Sequence, residues 1–252
     1  MSFRDPETGK HDAIQSVIEG EGVRADMAVL GGTSLTASFG NRGRIDVFVK
    51  VHGAPTHSSR PHDGCNAITG AMEVIRKLTT EIVLARNDPD LGPESLTVNR
   101  IKSSPESTHT IQGLCELTID RRLLPGDDPN AAFEEIARVA GTVNDMHDPV
   151  SGKPYRVEVI KGPFMYPSLV TRDTSVVQAL FSACRQAMGR EPEFFYAPNA
   201  FDQGYLNHVG IPCVNWGPGE YKFAHTDLDM ASVERTRDAA VVFTAMILDR
   251  LT

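Results

Sequence analysis

The sequence predicts a mixed α/β protein in which an open α/β domain is interrupted by a second, complete βαββαβ domain. Three observations lead to this. Between residues 44 and 160 the apolar pattern switches between period two and helical spacing in the order strand, helix, strand, strand, helix, strand. Short apolar strand candidates alternate with helices on both flanks. The turn-rich stretches Gly40–Gly43 and Lys161–Pro167 separate the patterns, so the expected segments are 1–43, 44–163 and 164–252.

In chain order, Asp12–Glu19 reads as a short helix and Met27–Leu30 as a short strand. Arg44–His52 alternates, with Ile45, Val47, Val49 and Val51 on one face, as a half-buried strand requires. A Pro/Gly-rich loop, 53–64, leads to a helix over Asn66–Leu84 with Ile68, Ala71, Met72, Ile75 and Leu78 at helical spacing. Ser95–Lys102 and Leu114–Arg122 read as strands, the second with Leu117 and Ile119 on one side. Asn130–Met146 is a helix begun near Pro129, carrying Phe133, Ile136, Ala137, Ala140 and Val143. Tyr155–Ile160 is the fourth strand, which completes a ferredoxin-like order. Beyond it come a helix over Ser175–Met188 ended near Gly189, a strand at Phe194–Tyr196, and a helical turn at Gly204–Asn207. A buried strand, Cys213–Trp216, then precedes a closing helix, Ser232–Leu248, with Ala239, Ala240, Phe243 and Ile247 expected inward.

Composition narrows the function classes. A chain of 252 residues can bury a sizeable core. Its formal charge of -8, from 25 basic against 33 acidic side chains, disfavours a nucleic-acid surface. Cys65, Cys115, Cys184 and Cys213 are widely spaced, which argues against a thiol zinc site or a dense disulfide framework and for a reducing, cytoplasmic setting. No stretch approaches the length of a membrane span, and residues 1–20 lack a signal-type apolar segment.

Chemistry concentrates in a few places. His57, beside Thr56, Ser58, Ser59 and Arg60, brings imidazole, hydroxyl and guanidinium donors to a loop where an anion or developing oxyanion can gather them; a plain surface histidine is the alternative. His225, followed by Asp227 and Asp229, suits a metal ligand oriented by a neighbouring carboxylate. The turn Gly217-Pro218-Gly219 offers backbone N–H groups to a carboxylate, or is simply a tight turn. Arg121 and Arg122 alternate to opposite faces of a strand, and His109 stands in a polar loop. Asp227 and Asp229 lack the six oxygens of a calcium site. Gly31-Gly32 is not a dinucleotide fingerprint, and Ser58-Ser59 lacks the elbow of a serine nucleophile.

Several spaced motifs together carry a resemblance. They are Arg42-Gly43-Arg44, His57-Ser58-Ser59-Arg60-Pro61 with Gly64-Cys65-Asn66-Ala67-Ile68, and Ile119-Asp120-Arg121-Arg122, followed by Gly210-Ile211-Pro212, Gly217-Pro218-Gly219 and His225-Thr226. From about residue 22 onward the chain resembles the zinc amidohydrolase and metallopeptidase family of acetylornithine deacetylase, succinyl-diaminopimelate desuccinylase, carboxypeptidase G and aminoacylase. It looks closest to members described as selenium-metabolism hydrolases. The resemblance implies a partial zinc-peptidase-like α/β domain interrupted by a ferredoxin-like dimerisation or lid domain, and a homodimer formed through residues 44–163.

The implied chemistry is amide hydrolysis of N-acyl amino acids or small peptides at a binuclear zinc site. His225 matches a zinc ligand, and His57 matches the lid histidine that stabilises the tetrahedral intermediate in a partner's site. His109 stands where an asparagine is usual. Arg122 matches the arginine of an Asp-x-Arg strand, and Gly217, Pro218 and Gly219 match a turn lining the substrate pocket. The family's Glu-Glu pair, general base then metal ligand, falls on Pro6-Glu7, which leaves Glu7 as the second metal candidate. The next carboxylate ligand falls near Gly32. Two zinc ions about 3.5–4 Å apart need a bridging carboxylate and several further ligands, which two retained positions do not supply. The expectation is a truncated, catalytically impaired member with a dimerising or small-molecule-binding role. The alternatives are an active metal-dependent hydrolase, or half of a split hydrolase completed by a separate N-terminal catalytic chain.

Overall fold

The computed structural model describes residues 10–32, 34–223 and 226–251. In chain order it contains α1 (Asp12–Gln15), continued by a π-helical turn Ser16–Gly20, then β1 (Ala28–Leu30), β2 (Ala37–Asn41), β3 (Gly43–His52) and β4 (Thr56–His57). There follow α2 (Ala67–Glu81), the two-residue strands β5 (Asn87–Asp88) and β6 (Gly92–Pro93), β7 (Ser95–Ser104), β8 (Thr110–Ile111) and β9 (Leu114–Leu123). The remainder is α3 (Pro129–Gly141), β10 (Arg156–Met165), β11 (Ser168–Leu169), α4 (Ser175–Met188), β12 (Phe194–Ala197), α5 (Gln203–His208), β13 (Cys213–Asn215) and α6 (Val233–Leu251). The chain divides into two compact units, one of residues 1–43, 89–92 and 165–252, the other of residues 44–88 and 93–164.

The second unit is a four-stranded sheet in the order β10-β3-β9-β7. Strict alternation along β3 sends Ile45, Val47, Val49 and Val51, each 0% exposed, into a core shared with Leu117 and Ile119 of β9. Ala71, Val74 and Leu78 of α2, with Ile136, Val139 and Ala140 of α3, close that core from one side. Each Val, Leu or Ile among them contributes about 1.5–3 kcal/mol on burial. Side chains set the helix starts: the Asn66 carboxamide oxygen accepts the Ile68 N–H at 3.0 Å, and the Asp128 carboxylate accepts the Asn130 N–H at 2.9 Å with Pro129 in the first turn. β7 and β9 run antiparallel with Leu96 opposite Arg121 and Val98 opposite Ile119, and the register shifts between Val98 and Arg100.

The first unit holds a sheet in the order β1-β13-β2-β11, with β12 also on β2. β1 and β13 are parallel, pairing Ala28 with Cys213 and Leu30 with Asn215. α4 and α6 cover Phe39, Val214 and Trp216, burying Val176, Leu180, Phe181 and Val242. A smaller cluster, Tyr205, Leu206, Ile211 and Cys213, takes Ile14 and Ile18 from the N-terminal helical segment. That segment is tied down by His11, 3% exposed, whose Nε2 accepts the Tyr166 N–H at 2.8 Å while its Nδ1 lies 2.9 Å from Asp202.

Several expectations change. Gly40–Gly43 is not a loop: Gly40 and Asn41 finish β2, and only Arg42 links it to β3. β2 escapes period-two reading because all five of its residues are buried, polar Ser38 and Asn41 included. Lys161–Pro167 is not a turn either, since β10 continues to Met165; a Cβ on Gly162 would stand 2.6 Å from the Asp46 carbonyl oxygen, so glycine permits this close approach. The helix expected to run to Leu84 ends at Glu81, because Ile82 turns to extended backbone. Met72, expected inward, is 60% exposed. Asn130–Met146 is α-helical only to Gly141 and continues as a 3-10 turn over Thr142–Asp145. In α6 the inward stripe is Ala239, Val242 and Met246, so the phase turns Ala240 and Ile247 outward.

Candidate functional site

In the second unit the loop after β3 folds into a two-stranded ribbon. β4 and β8 pair antiparallel with Thr56 opposite Ile111 and His57 opposite Thr110, and the Ser58 N–H donates to the His109 carbonyl oxygen at 2.9 Å. His57 therefore stands on β4 and His109 in the turn just before β8, at one end of the same ribbon, both exposed. The Ser59 N–H donates to His57 Nδ1 at 3.2 Å, and the Ser59 hydroxyl lies 2.8 Å from the same nitrogen. A backbone amide is only a donor, so Nδ1 accepts, and the proton of the neutral ring sits on Nε2, free to meet an anion. Arg60, its side chain 72% exposed, flanks the pair and makes only a loose contact, 3.9 Å, with Asp63.

Arg122 is not part of this ribbon. It lies one residue before the end of β9, eight residues and roughly 27 Å of strand from Leu114, where the ribbon joins. Its guanidinium forks onto the buried Asp120, with Nε 2.8 Å from one oxygen and Nη2 3.1 Å from the other. On the same outer face burial pushes the Asp46 carboxyl up; Arg44 and Arg122 oppose that shift and Asp120 adds to it. Arg121, on the helix side, pairs with the buried Glu94 at 3.1 Å.

In the first unit the ends of the parallel strands β1 and β13 are laced together. The Trp216 N–H donates to Leu30 O at 2.9 Å, Leu35 N–H to Gly217 O at 2.9 Å, Ser34 N–H to Gly219 O at 2.7 Å, and Gly219 N–H to Gly32 O at 3.1 Å. Within the turn, Pro218 has no N–H and the Gly219 N–H donates to the Gly32 carbonyl oxygen. Gly32 and Gly217 meet backbone to backbone. A Cβ on Gly32 would lie 2.7 Å from Trp216 N, and one on Gly217 would lie 2.6 Å from Gly32 N. Position 32, near which the resemblance places a carboxylate ligand, thus has no room for a side chain without a shift of the Trp216 backbone. Beside it Ser34 and Leu35 hold φ values of 59° and 52°, a left-handed conformation that non-glycine residues adopt only under local constraint.

This strained loop borders a cavity of about 310 Å³ lined by Ser34, Thr36, Phe195, Pro198 and Tyr221. Polar groups missed by sequence reading lie in the same unit. Gln203, 0% exposed, accepts the Asn215 N–H through Oε1 and donates to Ser38 O. The side-chain oxygens of Asn199 and Asn215 are buried without a protein hydrogen-bond partner. The signal available for them was an asparagine at the tip of a buried strand, Cys213-Val214-Asn215-Trp216. Glu7, Pro6 and His225 lie outside the described residues. Among the described residues no three His, Cys, Asp or Glu side chains converge as a metal cluster would.

Comparison with known proteins gives these features a context. Residues 39–147 match the peptidase dimerisation domain of the M20 family. Over 248 residues the chain is 27% identical to the uncharacterized protein YgeY of Escherichia coli (strain K12), a match covering 94% of this chain and 60% of that protein. It is 26% identical to a succinyl-diaminopimelate desuccinylase of Corynebacterium glutamicum, covering 88% and 57%. The M20 family metallo-carboxypeptidase of Sulfolobus solfataricus superposes with a TM-score of 0.69 at 17% identity, over 94% of this chain and 66% of the other. The chain spans about 60% of the length of YgeY. Its mixed α/β fold matches that of M20 peptidase structures, and residues 39–147 match the family's dimerisation domain.

Proposed function

We propose that this protein is a dimerising, M20-type amidohydrolase relative whose own chain binds small molecules but hydrolyses amide bonds poorly or not at all. One observation carries the reading: Gly32, near which the resemblance expects a metal-binding carboxylate, is sealed against the Trp216 backbone. The described residues therefore do not fit a binuclear zinc site, and no catalytic step is derived through zinc. His225 and Glu7 are the two positions left for a weakly held zinc ion.

The remaining groups suit binding. His57 presents Nε2–H, with His109 in the turn before β8 and Arg60 beside it, so the ribbon offers donors to a carboxylate or an oxyanion. N-acyl amino acids and small peptides are the ligands proposed for the chain. A homodimer through residues 44–163 is supported by the open edge of β7, where Ile101 is 55% exposed, and by Met72 on α2. Cytoplasmic residence is supported by four free, buried thiols, those of Cys184 and Cys213 pushed up to about 12 by burial. Among the described residues no helix is long and apolar enough to cross a membrane. The net charge of -8 argues against nucleic acid.

A second reading is half of a split hydrolase completed by a separate N-terminal catalytic chain, and the exposed Val233, Val241 and Ile247 of α6 favour it. The test of the first reading is an assay of the metal-repleted chain against N-acetyl and N-succinyl amino acids and dipeptides, with its mass in solution measured in parallel. The expected result is the mass of two chains and turnover no higher than that of His57→Ala. Hydrolysis that disappears in His57→Ala would overturn it.

A further inference from the structure

The three consecutive aromatics of β12 are not used alike. Phe194 stacks on Phe39 at 4.5 Å between ring centroids, and Tyr196 meets the same ring edge-on at 6.4 Å, so both serve the layer around Phe39. Phe195, between them, instead lines the cavity of about 310 Å³, with Ser34, Thr36, Pro198 and Tyr221. The β12–β2 pairing sets Phe195 opposite Ser38 and shifts register between Phe195 and Tyr196, an irregularity of the kind that re-aims a side chain. Another wall is the strained loop. Ser34 and Leu35, at φ 59° and 52°, are held there by N–H bonds to Gly219 O at 2.7 Å and Gly217 O at 2.9 Å. Backbone geometry therefore presets both walls before any ligand arrives. None of the five lining residues is a position that the family resemblance assigns.

The lining selects the ligand. Among the described residues no charged side chain lines the cavity, and the two charged neighbours of Tyr221 are engaged elsewhere: Glu220 with Arg235 Nη1 at 2.5 Å, and Lys222 Nζ over the Phe223 ring at 4.6 Å. A charged group would leave water there without a partner, whereas an uncharged ring gains the flat surfaces of Phe195, Tyr221 and Pro198. Size narrows the class. A cavity of about 150 Å³ accommodates benzene, and this one has about twice that, room for a two-ring aromatic system. The Thr36 hydroxyl already donates to Ser34 O at 3.2 Å, so towards a ligand its oxygen is an acceptor, matched by a ring N–H or O–H. Tyr221 is 54% exposed and Ser34 is exposed as well, so the cavity opens to water on their side and a polar substituent of the ligand stays solvated.

We propose that this cavity is a binding site for an uncharged bicyclic aromatic group that carries a hydrogen-bond donor, of the indole or naphthol class. The site lies within the first unit and makes no use of the His57 ribbon, so it stands whether or not the chain hydrolyses amides. Its probe is indole itself, titrated into the full chain, with saturation-transfer NMR and calorimetry as readouts. One molecule per chain is expected, with a dissociation constant on the order of 1 mM or tighter. Phe195→Ala and Tyr221→Ser should each weaken binding about tenfold. Tyr221 is exposed, so Tyr221→Ser keeps the test open even where Phe195→Ala fails to fold, and an unaltered circular dichroism spectrum and Tm establish its folding. Ile247→Glu, on the exposed side of α6, should leave binding unchanged; weakening there would show the ring adsorbing to open apolar surface and overturn the proposal. N-acetylglycine, charged and without a ring, should not displace indole. Displacement by it, failure of indole to bind, or binding indifferent to both cavity variants would each overturn the assignment.

Discussion

The Ser58 N–H donates to the His109 carbonyl oxygen at 2.9 Å, and this bond joins the two histidine-bearing segments into one ribbon. On that ribbon the Ser59 N–H reaches His57 Nδ1, which fixes the tautomer. Long-range proton–nitrogen NMR at a pH where His57 is neutral should show the proton on Nε2. An Nδ1–H tautomer would contradict the geometry and remove the outward donor.

Gly32 and Gly217 provide the second prediction. Restoring a carboxylate with Gly32→Asp drives its Cβ against the Trp216 backbone, so the variant should lose about 3 kcal/mol or more and gain no zinc. Gly217→Ala should be destabilised through the same contact, from the other side. Urea unfolding with a zinc titration checks both. A stable Gly32→Asp protein that binds zinc would show that the loop yields.

These two sites also show what the sequence discloses and what it conceals. The alternation of Ile45, Val47, Val49 and Val51 makes the βαββαβ unit legible, because one face of its sheet is buried and the other is not. β2 is invisible to the same reading because all five of its residues are buried. His57 and His109 were each visible as chemistry, but 52 positions apart; only the β4–β8 pairing joins them. Gly32 reads in sequence as a lost ligand, whereas the structure adds that a ligand has no space there. The closed hydrogen bond on Gly219 and the unpartnered oxygens of Asn199 and Asn215 depend on tertiary contacts that no local pattern encodes.

Asp148 gives the pH dependence. Burial raises its pKa, but hydrogen bonds from the Ser151 N–H at 2.7 Å, Asn66 N–H, Ser151 hydroxyl and Val150 N–H outweigh burial and hold the carboxyl below its ordinary value of 3.8. A depressed carboxylate stabilises the fold fully above that ordinary value, and the contribution is lost as pH falls through the folded-state value. Asp148→Asn should therefore cost about 2–3 kcal/mol at neutral pH and flatten the acid limb of the unfolding curve. An unchanged acid limb, followed by circular dichroism, would remove Asp148 as its origin.

Exposed apolar groups on the second unit set the assembly prediction. Met72→Lys with Ile101→Lys should leave the Tm within about 1 kcal/mol equivalent of the parent. The same pair should shift sedimentation from the mass of two chains to that of one. A dimer that survives both substitutions would place its interface elsewhere.

The most direct test of the central claim, an M20-type fold whose own residues do not complete a binuclear zinc centre, is elemental analysis of the metal-repleted, dialysed protein. Fewer than one zinc ion per chain is expected. About two zinc ions per chain, retained through dialysis, would contradict it and restore the chain as a hydrolase in its own right.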